Sequence, residues 1–161
     1  MAAVTADQIR QERALEGKVF STAAVGTSNV VYIGCLLAFK PGSARVWNAT
    51  KTASWSLAGI CEGLVNDSGN FLSTITGNTA GTVKVRYSWG QEALFTLLTG
   101  ARTFTNLNKT ALMATNNELD GTAVGTAALR MSVGMIVEAE TSTLSTVWVK
   151  IRQYGVSAAA G

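Results

Sequence analysis

The sequence predicts an all-β protein, a small antiparallel β-barrel or sandwich with an N-terminal arm that is extended or short-helical. Three observations predict it. Apolar and polar residues alternate with a period of two, most clearly in Val147-Trp148-Val149-Lys150-Ile151-Arg152; a strand there turns Val147, Val149 and Ile151 one way and Trp148, Lys150 and Arg152 the other. Short runs of this kind are separated by turn-forming clusters: Pro41-Gly42-Ser43, Asn66-Asp67-Ser68-Gly69-Asn70, Gly77-Asn78, Asn116-Asn117 and Asp120-Gly121. One proline and a single helix-start signal complete the pattern of many short strands.

That helix signal opens the chain. Thr5-Ala6-Asp7-Gln8 has capping-box spacing, good helix formers run to Glu16, and Gly17 is a plausible stop. However, Val4, Ile9, Ala14 and Leu15 make no continuous apolar stripe, and so short a helix is marginal alone. Met1–Gly17 is therefore expected to be an arm ordered mainly by docking, and residues 18–161 a single β domain. Strands are predicted at Lys18–Ala23, Val30–Phe39, Ala44–Asn48, Leu57–Leu64, Thr82–Trp89, Ala93–Leu97, Thr110–Ala114, Val133–Ala139 and Thr146–Gln153. Two long loops, Asn66–Ala80 and Leu98–Asn108, carry Phe71, Leu72 and Ile75 and then Phe104 and Leu107, which favours docking over free loops.

The C-terminal runs Val133–Glu140 and Val147–Tyr154, joined by the polar link Thr141–Thr146, read as a hairpin. In the first of them Val133, Met135, Val137 and Ala139 are assigned inward, and Ile136, Glu138 and Glu140 outward. Trp148 and Ile136 would then stand among charges on the wet face, where large apolar groups imply a covering partner. Both are expected at a subunit interface.

Composition narrows the function classes. Hydrophobic content of 47% supports a real core, while 14% charged residues fall below the roughly 25% usual for soluble domains. The net charge of +3 is spread from Arg10 to Arg152 without a basic run, a weak footprint for nucleic acid. Histidine is absent, which removes the commonest general base and metal ligand. Cys35 and Cys61 lie in apolar settings and read as buried free thiols of a reduced compartment, with a disulfide as the alternative. The N-terminus shows no signal-peptide pattern. The longest apolar run, Val30–Phe39, is about half a membrane span, so no membrane association is expected. The sequons at Asn48, Asn66 and Asn108 read as accidents of a Thr- and Asn-rich chain.

Candidate chemistry is sparse. Glu138 and Glu140 share a strand face as paired carboxylates must, but no third acidic ligand is near and an ordinary solvated face accounts for them. Asn66–Asn70 lacks the alternating ligands and closing Glu of a calcium loop. No Ser-x-x-Lys occurs, and no Gly-Lys-Ser/Thr follows Gly77–Gly81. No catalytic residue, metal site or cofactor is assigned, and the chain is not expected to be an enzyme. The alternative to a structural role is a small β-barrel that binds single-stranded nucleic acid: Lys84, Arg86 and Ser88 line one strand face, Trp47 and Trp55 flank Lys51, and Trp148 sits near Lys150 and Tyr154.

Five segments in order carry a resemblance. Val30-Val31-Tyr32-Ile33-Gly34-Cys35-Leu36-Leu37-Ala38 is followed by Ala58-Gly59-Ile60-Cys61-Glu62-Gly63-Leu64-Val65-Asn66, then by Gly81-Thr82-Val83-Lys84-Val85-Arg86-Tyr87. Next come Lys109-Thr110-Ala111-Leu112-Met113-Ala114 with Asn117-Glu118-Leu119, and finally Val133-Gly134-Met135-Ile136-Val137-Glu138 with Val147-Trp148-Val149-Lys150-Ile151. In this order the chain, from about Lys18 to Ile151, resembles the capsid decoration or head cement proteins of tailed phages. It departs from them at Ser88-Trp89, at Asn117-Glu118 and in a longer linker, Gly121–Met131. The resemblance implies a β-barrel-like domain with an N-terminal arm, made in the host cytoplasm and added to the outer face of a phage head. It also implies a homotrimer that clamps neighbouring major capsid protein subunits of the virion. The arm residues Ile9, Arg10, Arg13 and Leu15 are the expected shell contacts.

Overall fold

A computed structural model describes residues 5–50, 55–65, 75–102, 107–120, 130–153 and 156–157. In chain order the strands are β1 (Glu12–Arg13), β2 (Val19–Ala24), β3 (Val30–Val31), β4 (Leu36–Phe39), β5 (Val46–Asn48), β6 (Ser56–Leu64) and β7 (Ile75–Thr76). They continue with β8 (Lys84–Trp89), β9 (Glu92–Leu97), β10 (Thr110–Met113), β11 (Glu118–Asp120), β12 (Arg130–Ala139), β13 (Thr146–Ile151) and β14 (Val156–Ser157). The described residues form no α-helix, only 3-10 turns at Leu15–Gly17 and Thr99–Ala101. The predicted all-β class holds, and it takes the barrel form.

Strands β9, β11, β10, β12 and β13 pair in that order, and β13 returns to β9 to close a five-stranded barrel. Its neighbours are antiparallel except β9 and β11, which run parallel. The period of two is clear where it was strongest in the sequence. Val147, Val149 and Ile151 are buried while Trp148 and Lys150 lie half-covered outside, and Ala93, Phe95 and Leu97 repeat the pattern on β9.

A second sheet, β2-β8-β6-β4-β5, is antiparallel throughout. A parallel bridge between Val25 and Val46 brings its two edges together. The sheet thus curls around its own core of Val31, Leu37, Ala58, Cys61, Val85 and Tyr87, among others. Leu36, Ala38, Leu57 and Ile60 leave its opposite face and join the barrel core with Phe95 and Met113. Strands covered on both faces lose their alternation and read as unbroken apolar runs. That is why the expected single strand Val30–Phe39 is really two. The chain turns at Tyr32–Cys35, where Gly34 (φ +81°) lies so close to the arm that a Cβ would come within 2.1 Å of the Gln8 carbonyl oxygen.

Of the two forms expected of the arm, the structure takes the extended one: the Gln8 side-chain amide donates to the carbonyls of Ala6 and Asp7. The chain stays extended until Glu12 and Arg13 pair with Ala93 and Glu92 of β9. A segment without an apolar stripe gains more from an existing strand than from its own helix.

The outward placement expected of Ile136 is corrected: the residue is 0% exposed and belongs to the barrel core. The register of β12 with β13 runs Gly134↔Ile151, Met135↔Lys150, Ile136↔Val149 and then jumps to Glu138↔Trp148. Val137 is therefore an extra residue, a β-bulge that inverts the facing of Met135 and Ile136, while Val133, at a second register shift against β10, stays in the core as expected. Glu138 remains outward and Ala139 packs on the core, whereas Ile136 turns in and Met135 turns out.

Leu107 and Ile75, expected to dock, pack on the barrel core and in the second core respectively. Phe71, Leu72 and Phe104, like Lys51, Tyr154 and the linker 121–129, lie outside the described residues.

Cys35 and Cys61 are both free and buried. Burial pushes the Cys35 thiol up to about 11 and the Cys61 thiol up to about 12, so neither forms the nucleophilic thiolate at neutral pH. A thiol reagent is expected to leave the native protein unmodified and to titrate both cysteines once it is unfolded. Fast labelling of either in the native state would contradict this burial.

Candidate interaction surface

The arm is fastened by its polar side chains. The Arg10 guanidinium donates to the Gly34 carbonyl (3.0 and 2.8 Å), to the Leu94 carbonyl (3.0 Å) and to Asn117 Oδ1, and stands 4.1 Å from the Phe95 ring centroid. It ties together the arm, the barrel strand β9, the loop before β11 and the turn of the second sheet. Burial pushes its pKa down to about 10, against the pull of Cys35 and Glu12, and it remains charged at neutral pH.

Arg13 bridges two barrel strands, with Nη2 3.0 Å from Glu92 and 2.6 Å from Glu138. Its guanidinium carbon lies 4.3 Å from the Trp148 ring centroid. Lys18 closes the row, 2.6 Å from Glu12 and 2.9 Å from Glu62. Burial opposes the Lys18 charge, but the two carboxylates outweigh it and raise the ammonium pKa. Glu62 also accepts from Ser88, which in turn accepts from Gln91, so the polar row runs from the arm into the second sheet.

The expected site residues therefore separate into four groups. Arg10 and Arg13 are internal fasteners. Trp148 is on the outer face as expected, but Arg13 of its own chain lies over it. Ile136 is in the core and offers nothing to a neighbour. Ile9 and Leu15 remain, 86% and 55% exposed, on a segment whose two arginines bond to the body. This inverts the ordinary arrangement, in which a docked segment buries its apolar side chains.

Next to the arm, Val19 and Phe20 of β2 are also exposed. Phe20 lies beneath the cations of Lys18 (5.1 Å) and Arg86 (4.9 Å). Sequence reasoning placed Lys84, Arg86 and Ser88 on one face but missed Phe20. The only signal for it was two large apolar residues adjacent at a strand start, which cannot both face a core. Ser88 is buried, so that face carries two free cations rather than a polar groove. Trp47 and Trp55 gather around Lys40, 3.4 and 5.0 Å from the ring centroids.

Among the described residues no three metal-ligating side chains come together, and no helix is long and apolar enough to cross a membrane. Comparison with protein-family models, with curated proteins and with solved structures finds no match.

Proposed function

We propose that this chain is a structural virion protein that decorates a tailed-phage head and reinforces contacts between major capsid protein subunits. The single observation that carries the proposal is the inverted arm: polar fasteners inward, Ile9 and Leu15 outward. The order of the five family-like segments supports it. The mechanism is burial of apolar area against the shell, at roughly 25 cal/mol per Å², multiplied over many copies by avidity. The homotrimer implied by the resemblance is part of the same proposal, and Trp148, already covered by Arg13, is not its anchor.

The test is co-sedimentation with cognate heads stripped of this protein. Saturable binding in multiples of three per site, little changed by salt, is expected. The double variant Ile9→Ser, Leu15→Ser is expected to lose about 3 kcal/mol, roughly a hundredfold in affinity, while its unfolding midpoint stays at the wild-type value because neither side chain packs inward. Full binding by that variant would remove the arm from the shell contact.

A second reading, single-stranded nucleic-acid binding, draws on Phe20 with Lys84 and Arg86. Two free cations predict a slope of only about −1.4 in log affinity against log salt, too shallow for a groove that tracks a phosphate backbone.

A further inference from the structure

Strand β2 is the first strand of the five-stranded sheet, and among the described residues its outer side is unpaired until its end, where the Val25–Val46 bridge brings Ala24 against β5. Its register with β8 runs from Val19↔Trp89 to Ala24↔Lys84, and the next pair in that register, Val25 and Val83, is joined by a bond from the Val25 N–H to the Val83 carbonyl. Hydrogen-bonded and non-hydrogen-bonded pairs alternate along an antiparallel ladder. Val19, Ser21 and Ala23 therefore direct their backbone groups to β8, Phe20 and Thr22 direct theirs to the open edge, and Ala24 turns its carbonyl to Val46 of β5. The strand, Val-Phe-Ser-Thr-Ala-Ala, has neither the proline nor the charge that commonly blunts such an edge.

The chemistry beside the edge is specific. Residues opposite one another share a face, so Phe20 and Thr22 stand on the same outer face as Lys84 and Arg86. Both cations are exposed, and neither has a carboxylate partner among the described residues. Lys18, in contrast, is taken up by Glu12 and Glu62.

We propose that the outer edge of β2 receives an extended polypeptide segment bearing carboxylates, added to the sheet as a further strand. The outward backbone N–H and C=O pairs of Phe20 and Thr22 match a strand and not a nucleotide chain. A carboxylate opposite Thr22 on the added strand lies two strand spacings, about 10 Å, from the Arg86 backbone, within the joint reach of the two side chains. A second copy of β2 would set Lys84 and Arg86 against their own like. The proposal does not depend on the shell reading, since it concerns a different surface from Ile9 and Leu15.

The experiment uses the full chain with three probes: a short fluorescent peptide of alternating valine and glutamate, its lysine counterpart, and an oligothymidylate. Fluorescence anisotropy and residue-resolved amide exchange are recorded together. The glutamate peptide is expected to bind saturably and to slow exchange at Phe20 and Thr22, with Ser21 and Ala23 slow throughout. Thr22→Pro removes an outward donor without touching the β8 ladder, and it is expected to weaken binding roughly tenfold. Arg86→Glu leaves every backbone bond in place and is expected to do the same. The proposal fails if the two edge amides are already slow in the dilute free protein, or slow only as protein concentration rises. It fails equally if the oligothymidylate protects them and the peptide does not, or if neither variant changes binding.

Discussion

Replacing Gly134 by alanine is expected to destabilise the protein by about 4 kcal/mol, near the upper end for a single substitution. Gly134 sits opposite Ile151 in the β12–β13 ladder with φ +151°, and a Cβ there would lie 1.8 Å from the Lys150 carbonyl oxygen and 2.8 Å from its carbon. Those atoms are backbone, so relief requires parting the two strands. Two costs add: overpacking of about 1–3 kcal/mol and a disfavoured backbone region at about 1–3 kcal/mol. The position also lies between two bulges, since the β10–β12 register skips Val133 as the β12–β13 register skips Val137. A strand bent twice within five residues has little freedom left. Gly42→Ala is the control, because Gly42 has φ +73° but nothing within 4 Å of its Cβ. Urea unfolding of both variants separates the terms: Gly42→Ala is expected to cost about 1 kcal/mol. Equal losses would show that the close approach at Gly134 has no weight.

Arg10→Ala is expected to lower stability by about 3 kcal/mol, a fall of roughly 6–12 °C in Tm for a chain of this size. The substitution leaves the carbonyls of Gly34 and Leu94 and the amide oxygen of Asn117 without their donor and uncovers the Phe95 ring. Buried acceptors stripped of a charged donor lose more than the net worth of the bond. Arg10→Lys keeps the charge but not the fork, and cannot reach three acceptors at once. It is therefore expected to recover less than half of the loss. Limited proteolysis supplies the second readout: cleavage between Thr5 and Gly17 should be fast in Arg10→Ala and slow in the wild type. Unchanged Tm and unchanged cleavage would mean that the arm is held by its β1 pairing alone.

How far the sequence could be read depended on what each signal encodes. The β13 alternation was legible because that strand has one buried and one open face and no irregularity. The partner strand β12 was legible as a strand but only partly in its facing, since an extra residue at Val137 reverses Met135 and Ile136 and leaves no compositional mark. The Val30–Phe39 run hid a turn because burial on both faces had already erased the period. Thr5-Ala6-Asp7-Gln8 carried a true local helix signal that lost to pairing with β9, a partner more than eighty residues away. Arg10 and Arg13 were singled out on the arm, yet nothing local reveals whether an arginine faces a partner or its own barrel. Of the expected surface residues, only Ile9 and Leu15 point away from the body.

The fastening of the arm has a consequence in time. Arg10 and Arg13 are synthesised before the groups that hold them, since their hydrogen-bond partners lie 24 to 125 positions downstream. A nascent chain cannot seat the arm until Glu138 and the strand around Trp148 have left the ribosome and the barrel has closed. The outward presentation of Ile9 and Leu15 is thus a property of finished molecules alone. A truncated or stalled product carries the same two side chains on a loose tether, without the orientation that completion confers. Release of a usable arm and closure of the barrel are one event, so the last barrel strand to be made licenses the arm to act.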